Sequence, residues 1–161
     1  MLDRLFPKVI DNDYRGHLIA IWLLVPVVLL KLIMGFNVAG LNPLVANEYI
    51  IVNADGVPLD TFDAKTQELV MFLFASWGLA LFLFCLFAIV ALVRYRAMIP
   101  LAYLLLAAEQ VGRKLIHMQE TTPAPTPDGP SFGFMINLAF SIVLVVGFAL
   151  SLTTRRSRRN S

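Results

Sequence analysis

Apolar residues do not alternate with polar ones anywhere along this chain; they gather instead into four long runs. These cover about residues 17–36, 69–93, 97–118 and 132–153. A hydrocarbon core about 30 Å thick is crossed by roughly 20 mostly apolar residues in helical form, and each run meets that length. Without a two-residue repeat a membrane β-barrel is excluded. Backbone groups in lipid must then be satisfied inside each segment, which leaves helices. The expected fold is an all-α membrane protein, a four-transmembrane-helix bundle forming a single membrane domain over residues 1–161. Pro26 should kink the first span near Trp22, whereas Pro100 falls in the opening turn of the third, where proline is tolerated.

Between the runs lie two long connections and one short one. Residues 37–68 contain Tyr49-Ile50-Ile51-Val52 and Val57-Pro58-Leu59 around Asn53-Ala54-Asp55-Gly56. Asp-Gly between apolar stretches is a hairpin signal, so this external loop is expected to hold a short β-hairpin or turn capping the bundle. Asp60 or Asp63 should cap the following helix. Residues 119–131 carry four prolines between Thr121 and Pro130 and read as an extended polyproline strap.

Charge orients these spans. Arg4, Lys8 and Arg15 precede the first, Arg94 and Arg96 sit in the short turn after the second, and Arg155, Arg156, Arg158 and Arg159 fill the tail, residues 154–161. With four spans these nine basic residues share one side, and the two loops opposite hold only Lys65 against seven acids. Basic residues stay cytoplasmic, so both termini are expected there. Sixteen residues with three acids and three bases precede the first run, which reads as a retained anchor rather than a cleaved signal. The arginine-rich tail reads as a topology anchor that touches anionic headgroups, not as a nucleic-acid site.

Composition agrees with the pattern: 58% of the 161 residues are hydrophobic and 15% charged, against about 45–50% and about 25% in soluble domains. The single cysteine, Cys85, excludes an internal disulfide and lies in an apolar run. The two histidines, His17 and His117, fall at opposite ends of their spans, so no joint metal or haem site is expected, and no cofactor. No glycine-rich phosphate loop, nucleophile elbow or HExxH pattern occurs.

The third run is the one that could carry chemistry. Charges inside a span cost about 2.5–3.5 kcal/mol each near its centre, so they tend to face the bundle with partners. Glu109 and Arg113 are spaced for an i,i+4 ion pair, and Gln110, Lys114 and His117 continue the polar stripe outward. Ala108 and Gly112 form a small-xxx-small pair that would admit a neighbouring helix. By rise per residue Lys31 in the first span lies nearly level with Glu109, and an ion pair between them is expected. Asn137 and Ser141 in the fourth span, and Ser76 in the second, reach similar depth. The candidate ligand-binding set is therefore Lys31, Glu109, Gln110, Arg113, Lys114, His117 and Asn137, in the outer half of the bundle. A register-fixing polar network with no ligand is the alternative.

Three segments carry a resemblance: Asp11-Asn12-Asp13-Tyr14-Arg15-Gly16-His17; Ala54-Asp55-Gly56-Val57-Pro58-Leu59-Asp60-Thr61-Phe62; and Arg94-Tyr95-Arg96 leading to Glu109-Gln110-x-Gly112-Arg113-Lys114. Together they resemble a family of small bacterial four-span inner-membrane proteins to which no function is assigned. The resemblance implies a bacterial cytoplasmic membrane and carries no site residues. The expected function is non-catalytic: binding of a partner protein, a lipid or an amphipathic ligand within the bilayer. Alternatives are an oligomeric transport component with Glu109 on a shared axis, and a membrane enzyme acting on a lipid or quinone.

Overall fold

Each apolar run becomes a helix. A computed structural model describes residues 2–117 and 132–153, and within them the chain forms α1 (Leu2–Leu5), α2 (Leu18–Val38), α3 (Asn47–Asp55), α4 (Ala64–Val93), α5 (Ile99–His117) and α6 (Phe132–Leu152). Short 3₁₀ turns at Leu59–Thr61 and Arg96–Met98 lead into α4 and α5. Among the described residues there is no strand. The polyproline strap and the arginine tail lie outside the described residues.

Among the described residues three helices are long and apolar enough to cross a membrane: α2, α4 and the stretch Met135–Leu152 of α6. The expected boundaries hold to within about five residues. α2 passes through Pro26 without ending, and Pro100 is the second residue of α5. The largest difference is at α4, which starts at Ala64 and runs 30 residues, about 45 Å. Its first turn is polar, and helix continues there because Asp63 caps it. The Asp63 Oδ1 accepts from the backbone N–H groups of Lys65 and Thr66, each at 3.1 Å, and Oδ2 accepts from the Thr66 hydroxyl at 2.5 Å. These bonds, the Thr66 hydroxyl foremost, hold the carboxyl below its ordinary range. Of the two aspartates expected as caps, Asp63 is the one that serves.

The hairpin expected over Tyr49–Leu59 is replaced by helix. Tyr49-Ile50-Ile51-Val52 is a continuous apolar run, and such a run fits helix as well as strand. Here Ile51 alone is fully buried, with Tyr49 and Val52 exposed, a one-sided burial that suits a surface helix. Gly56 adopts positive φ, +70°, as a hairpin would also require. Its role is to end α3: the N–H groups of Gly56 and Val57 both turn back to the Ile51 carbonyl. The same glycine thus serves a helix stop rather than a turn between strands.

The chain divides into two compact units, Val28–Leu86 and Met1–Val27 with Phe87–Ser161, and α2 and α4 contribute to both. In the first unit the buried side chains are Val28, Lys31, Val38, Ile51, Leu59, Leu81 and Cys85. Here α2 and α4 touch backbone to backbone. A Cβ placed on Gly35 would stand 2.8 Å from the Phe82 nitrogen and 3.0 Å from the Gly78 oxygen, and one on Gly78 would stand 2.5 Å from the Ala39 nitrogen. Neither position admits a side chain. Phe36 and Phe82 pack beside this crossing with ring centroids 5.8 Å apart.

The second unit is built on α5 and α6. Ile99, Ala102, Tyr103, Leu106 and Gln110 form the buried stripe of α5, spaced three and four residues apart as one helix face requires. α6 answers with Leu144 and Ser151. Tyr103 packs its ring against Gly147, and Gln110 meets Asn137. As α5 ascends in number α6 descends, so the pair is antiparallel. The fully buried Tyr103 also donates its hydroxyl to the Ala20 carbonyl of α2 at 2.5 Å. Outward-facing positions carry Leu, Ile, Val and Phe, an exposed surface suited to lipid rather than water.

Candidate functional site

α5 differs from the three long apolar helices by one polar face in its second half, and that face is wired into α6. Glu109 and Arg113, one turn apart, form the expected ion pair, Nε to Oε1 at 2.6 Å. Arg113 Nη2 donates to Gln110 Oε1 at 2.9 Å. A guanidinium has donors only, so the Gln110 oxygen must face it and the amide nitrogen must face away. That nitrogen donates to Asn137 Oδ1 at 3.1 Å and to the Asn137 carbonyl at 3.2 Å. Ser141 donates to the same carbonyl at 2.8 Å.

The result is a continuous polar chain: an ion pair joins Glu109 to Arg113, and hydrogen bonds run from Arg113 through Gln110 to Asn137 and Ser141. Gln110, 1% exposed, is its buried centre. The Glu109 side chain is nearly buried, and that of Arg113 is 32% exposed, so the network has a closed end and an open end. Such networks gain strength from their low-dielectric surroundings when every member is satisfied.

Of the seven candidates, Glu109, Gln110, Arg113 and Asn137 are therefore brought together. Lys114 follows Arg113 on α5 and is half-buried. His117 is the last residue of α5, and its side chain lies outside the described set. Lys31 is buried in α2 within the unit Val28–Leu86. Ser76 turns back to its own helix, donating to the Phe72 carbonyl. The Ala108/Gly112 pair is not a helix contact among the described residues: Ala108 is exposed, and a Cβ on Gly112 would meet nothing within 4 Å. Close approach occurs instead at Gly35, Gly78 and Gly147.

A second polar cluster went unforeseen. The N-terminal segment folds over the end where α5 begins and α6 finishes. Arg4 Nη1 donates to the Leu152 carbonyl at 2.7 Å, the favourable place for a cation at a helix C-terminus. The His17 N–H reaches the Leu150 carbonyl at 3.2 Å, and the Ala97 N–H reaches the Asp11 carbonyl at 3.3 Å. Arg15 pairs with Asp11 at 3.1 Å and Asp13 at 3.4 Å. Tyr14 donates to the His17 carbonyl at 3.2 Å, and burial pushes its phenol up to about 12. Between Arg4, Tyr14, Pro100 and Ser151 lies a cleft of about 20 Å³, room for one water. The two acids Asp11 and Asp13 just ahead of Arg15 were the signal available in sequence.

Among the described residues no group of three or more His, Cys, Asp or Glu side chains is placed to hold a metal ion. No protein-family model, no curated protein and no solved structure matches the chain.

Proposed function

We propose that this chain is a non-catalytic, four-span protein of a bacterial cytoplasmic membrane, with both termini inside, that binds the headgroup of an anionic amphipathic ligand beside Arg113 and Lys114. α5 is the span added to the three apolar ones, third in chain order. Its 19 residues cover about 28 Å, and it runs antiparallel to α6 from Tyr103 to Gln110. Its charges are accommodated by Glu109, Gln110 and Asn137 rather than by lipid. The orientation is supported by the meeting of the N-terminal segment, the α4–α5 turn and the end of α6, which gathers Arg4, Lys8, Arg15, Arg94 and Arg96 at one end.

One observation carries the binding role: the network fixes the Arg113 guanidinium on a rigid helix pair yet leaves its side chain a third exposed, next to Lys114. Preorganised cations on rigid elements are what a phosphate or carboxylate headgroup recognises. The outward half of α5 is also the half remote from the basic end, so the ligand would be drawn from the outer leaflet.

Native mass spectrometry of the full chain, released from mild detergent, tests this. The expected result is a retained anionic phospholipid, weakened by Lys114→Gln, which leaves the Glu109–Arg113–Gln110 contacts in place. Retention unchanged in Lys114→Gln and in Arg113→Gln, or no retained lipid, overturns the ligand role and leaves the network as architecture.

A further inference from the structure

We infer that the N-terminal segment, residues 2–16, is an interfacial anchor that lies in the headgroup layer of an anionic bilayer at the end of the bundle opposite the Arg113 network. This goes beyond the ligand proposal and does not depend on it.

Leu2, Phe6, Val9 and Ile10 are 55–72% exposed, four large apolar side chains within nine residues and outside any membrane-crossing helix. A loop at the protein surface ordinarily carries polar residues there, and an apolar cluster of this size marks a contact. The segment is not loosely appended. Arg4 ties it to the Leu152 carbonyl, the Asp11 carbonyl ties it to the α4–α5 connection, and His17 joins it to Leu150. All three anchors are at helix ends, where an apolar core gives way to headgroups, so the exposed side chains are continuous with the lipid-facing surfaces of α2 and α6.

Charge identifies the occupant. Asp11 and Asp13 are taken up by Arg15. Lys8, Arg94 and Arg96 are exposed around the apolar cluster, and Arg94 stacks its guanidinium 5.9 Å from the Tyr95 ring centre. Across this end, among the described residues, five basic side chains stand against three acidic ones. Apolar side chains flanked by lysine and arginine fit an anionic lipid surface, where each basic residue near the headgroups strengthens partition roughly five-fold. A basic or neutral partner protein would not match this charge.

The test uses the full chain reconstituted in vesicles, with Trp22→Phe and Trp77→Phe removing the native tryptophans and Phe6→Trp as reporter. Phe6 is exposed, so the exchange does not disturb packing. In phosphatidylcholine vesicles containing phosphatidylglycerol, emission should be blue-shifted and quenched by lipids brominated close to the headgroup. Leaving out phosphatidylglycerol should lower the inserted fraction several-fold, as should Lys8→Gln with Arg94→Gln. Absence of quenching at position 6, or equal quenching without phosphatidylglycerol, overturns the inference.

Discussion

Gly147→Ala adds one methyl group to α6, and the structure predicts that this single group unseats Tyr103. The new Cβ would overlap the edge of the phenol ring and its hydroxyl, both inside van der Waals contact of the glycine. Tyr103 is fully buried between α6 and α2, so the ring cannot swing into open space. Withdrawal would break its bond to the Ala20 carbonyl, and interhelical bonds in membranes are worth about 0.6–1.7 kcal/mol. Overpacking a closed core adds about 1–3 kcal/mol. Together the loss is about 1.6–4.7 kcal/mol, roughly 15- to 3,000-fold in the unfolding constant. Unfolding titration in mixed dodecylmaltoside–SDS micelles would read it. The decisive arm is the double variant with Tyr103→Leu, which removes the obstructing ring edge. In that background Gly147→Ala should cost almost nothing, so the two losses should be strongly non-additive. Additivity within about 0.5 kcal/mol, or a neutral Gly147→Ala, would refute the packing argument.

Four further outcomes are expected. Gln110→Leu or Asn137→Leu alone should destabilise the bundle by about 1–3 kcal/mol by stranding buried partners, while the double variant recovers part of the loss; a titration series that shows strict additivity contradicts the network. Gly56→Ala and Gly56→Val should both loosen α3, by about 1 kcal/mol and about 2 kcal/mol, although no atom lies within 4 Å of the added group; hydrogen exchange at Ile51 and Val52 reports it, and unchanged protection means that φ there is not constrained. Because the Asp63 carboxyl is held below its ordinary value, its contribution is present above the unfolded carboxylate range and is lost as pH falls through the folded value. Amide protection factors at Lys65 and Thr66, corrected for intrinsic exchange, should therefore fall in acid, less so in Asp63→Asn, and pH-independent protection would count against the cap. Single cysteines at Asp128 and Ser161, in Cys85→Ser, should label from opposite sides, and modification of both by an impermeant reagent in intact cells would reject the four-span topology.

The apolar runs made the helices legible because lipid length and helix length are the same quantity. The missing five residues of α4 were not legible in hydropathy: Lys65 and Glu68 look like loop, and only the Asp63–Thr66 cap shows that helix persists past the hydrocarbon edge. Tyr49–Leu59 was misread because an apolar run of four and an Asp-Gly pair satisfy two structures, and burial of Ile51 alone separates them. Within the site, Glu109–Arg113 could be counted off a helix, whereas Gln110–Asn137 depends on interhelical register, which no spacing encodes. Tyr103 and Gly147 gave no warning at all. A tyrosine and a glycine in apolar runs are ordinary until the packing joins them.

The crossing of α2 and α4 at Gly35 and Gly78 has a further consequence. In water, two helices are held together largely by side chains that prefer each other to solvent; in lipid that preference vanishes, since leucine is as content against an acyl chain as against another leucine. What the crossing offers instead is bare backbone. A Cβ on Gly35 would point at the Gly78 carbonyl oxygen 3.0 Å away, so in the native chain a Cα–H bond of Gly35 is aimed there. Contacts of that kind are weak, about 0.5–1 kcal/mol, but an acyl chain has no carbonyl with which to compete for them. Recognition at this point is written in missing atoms: the two helices find one another because, at these two positions, nothing stands between their main chains.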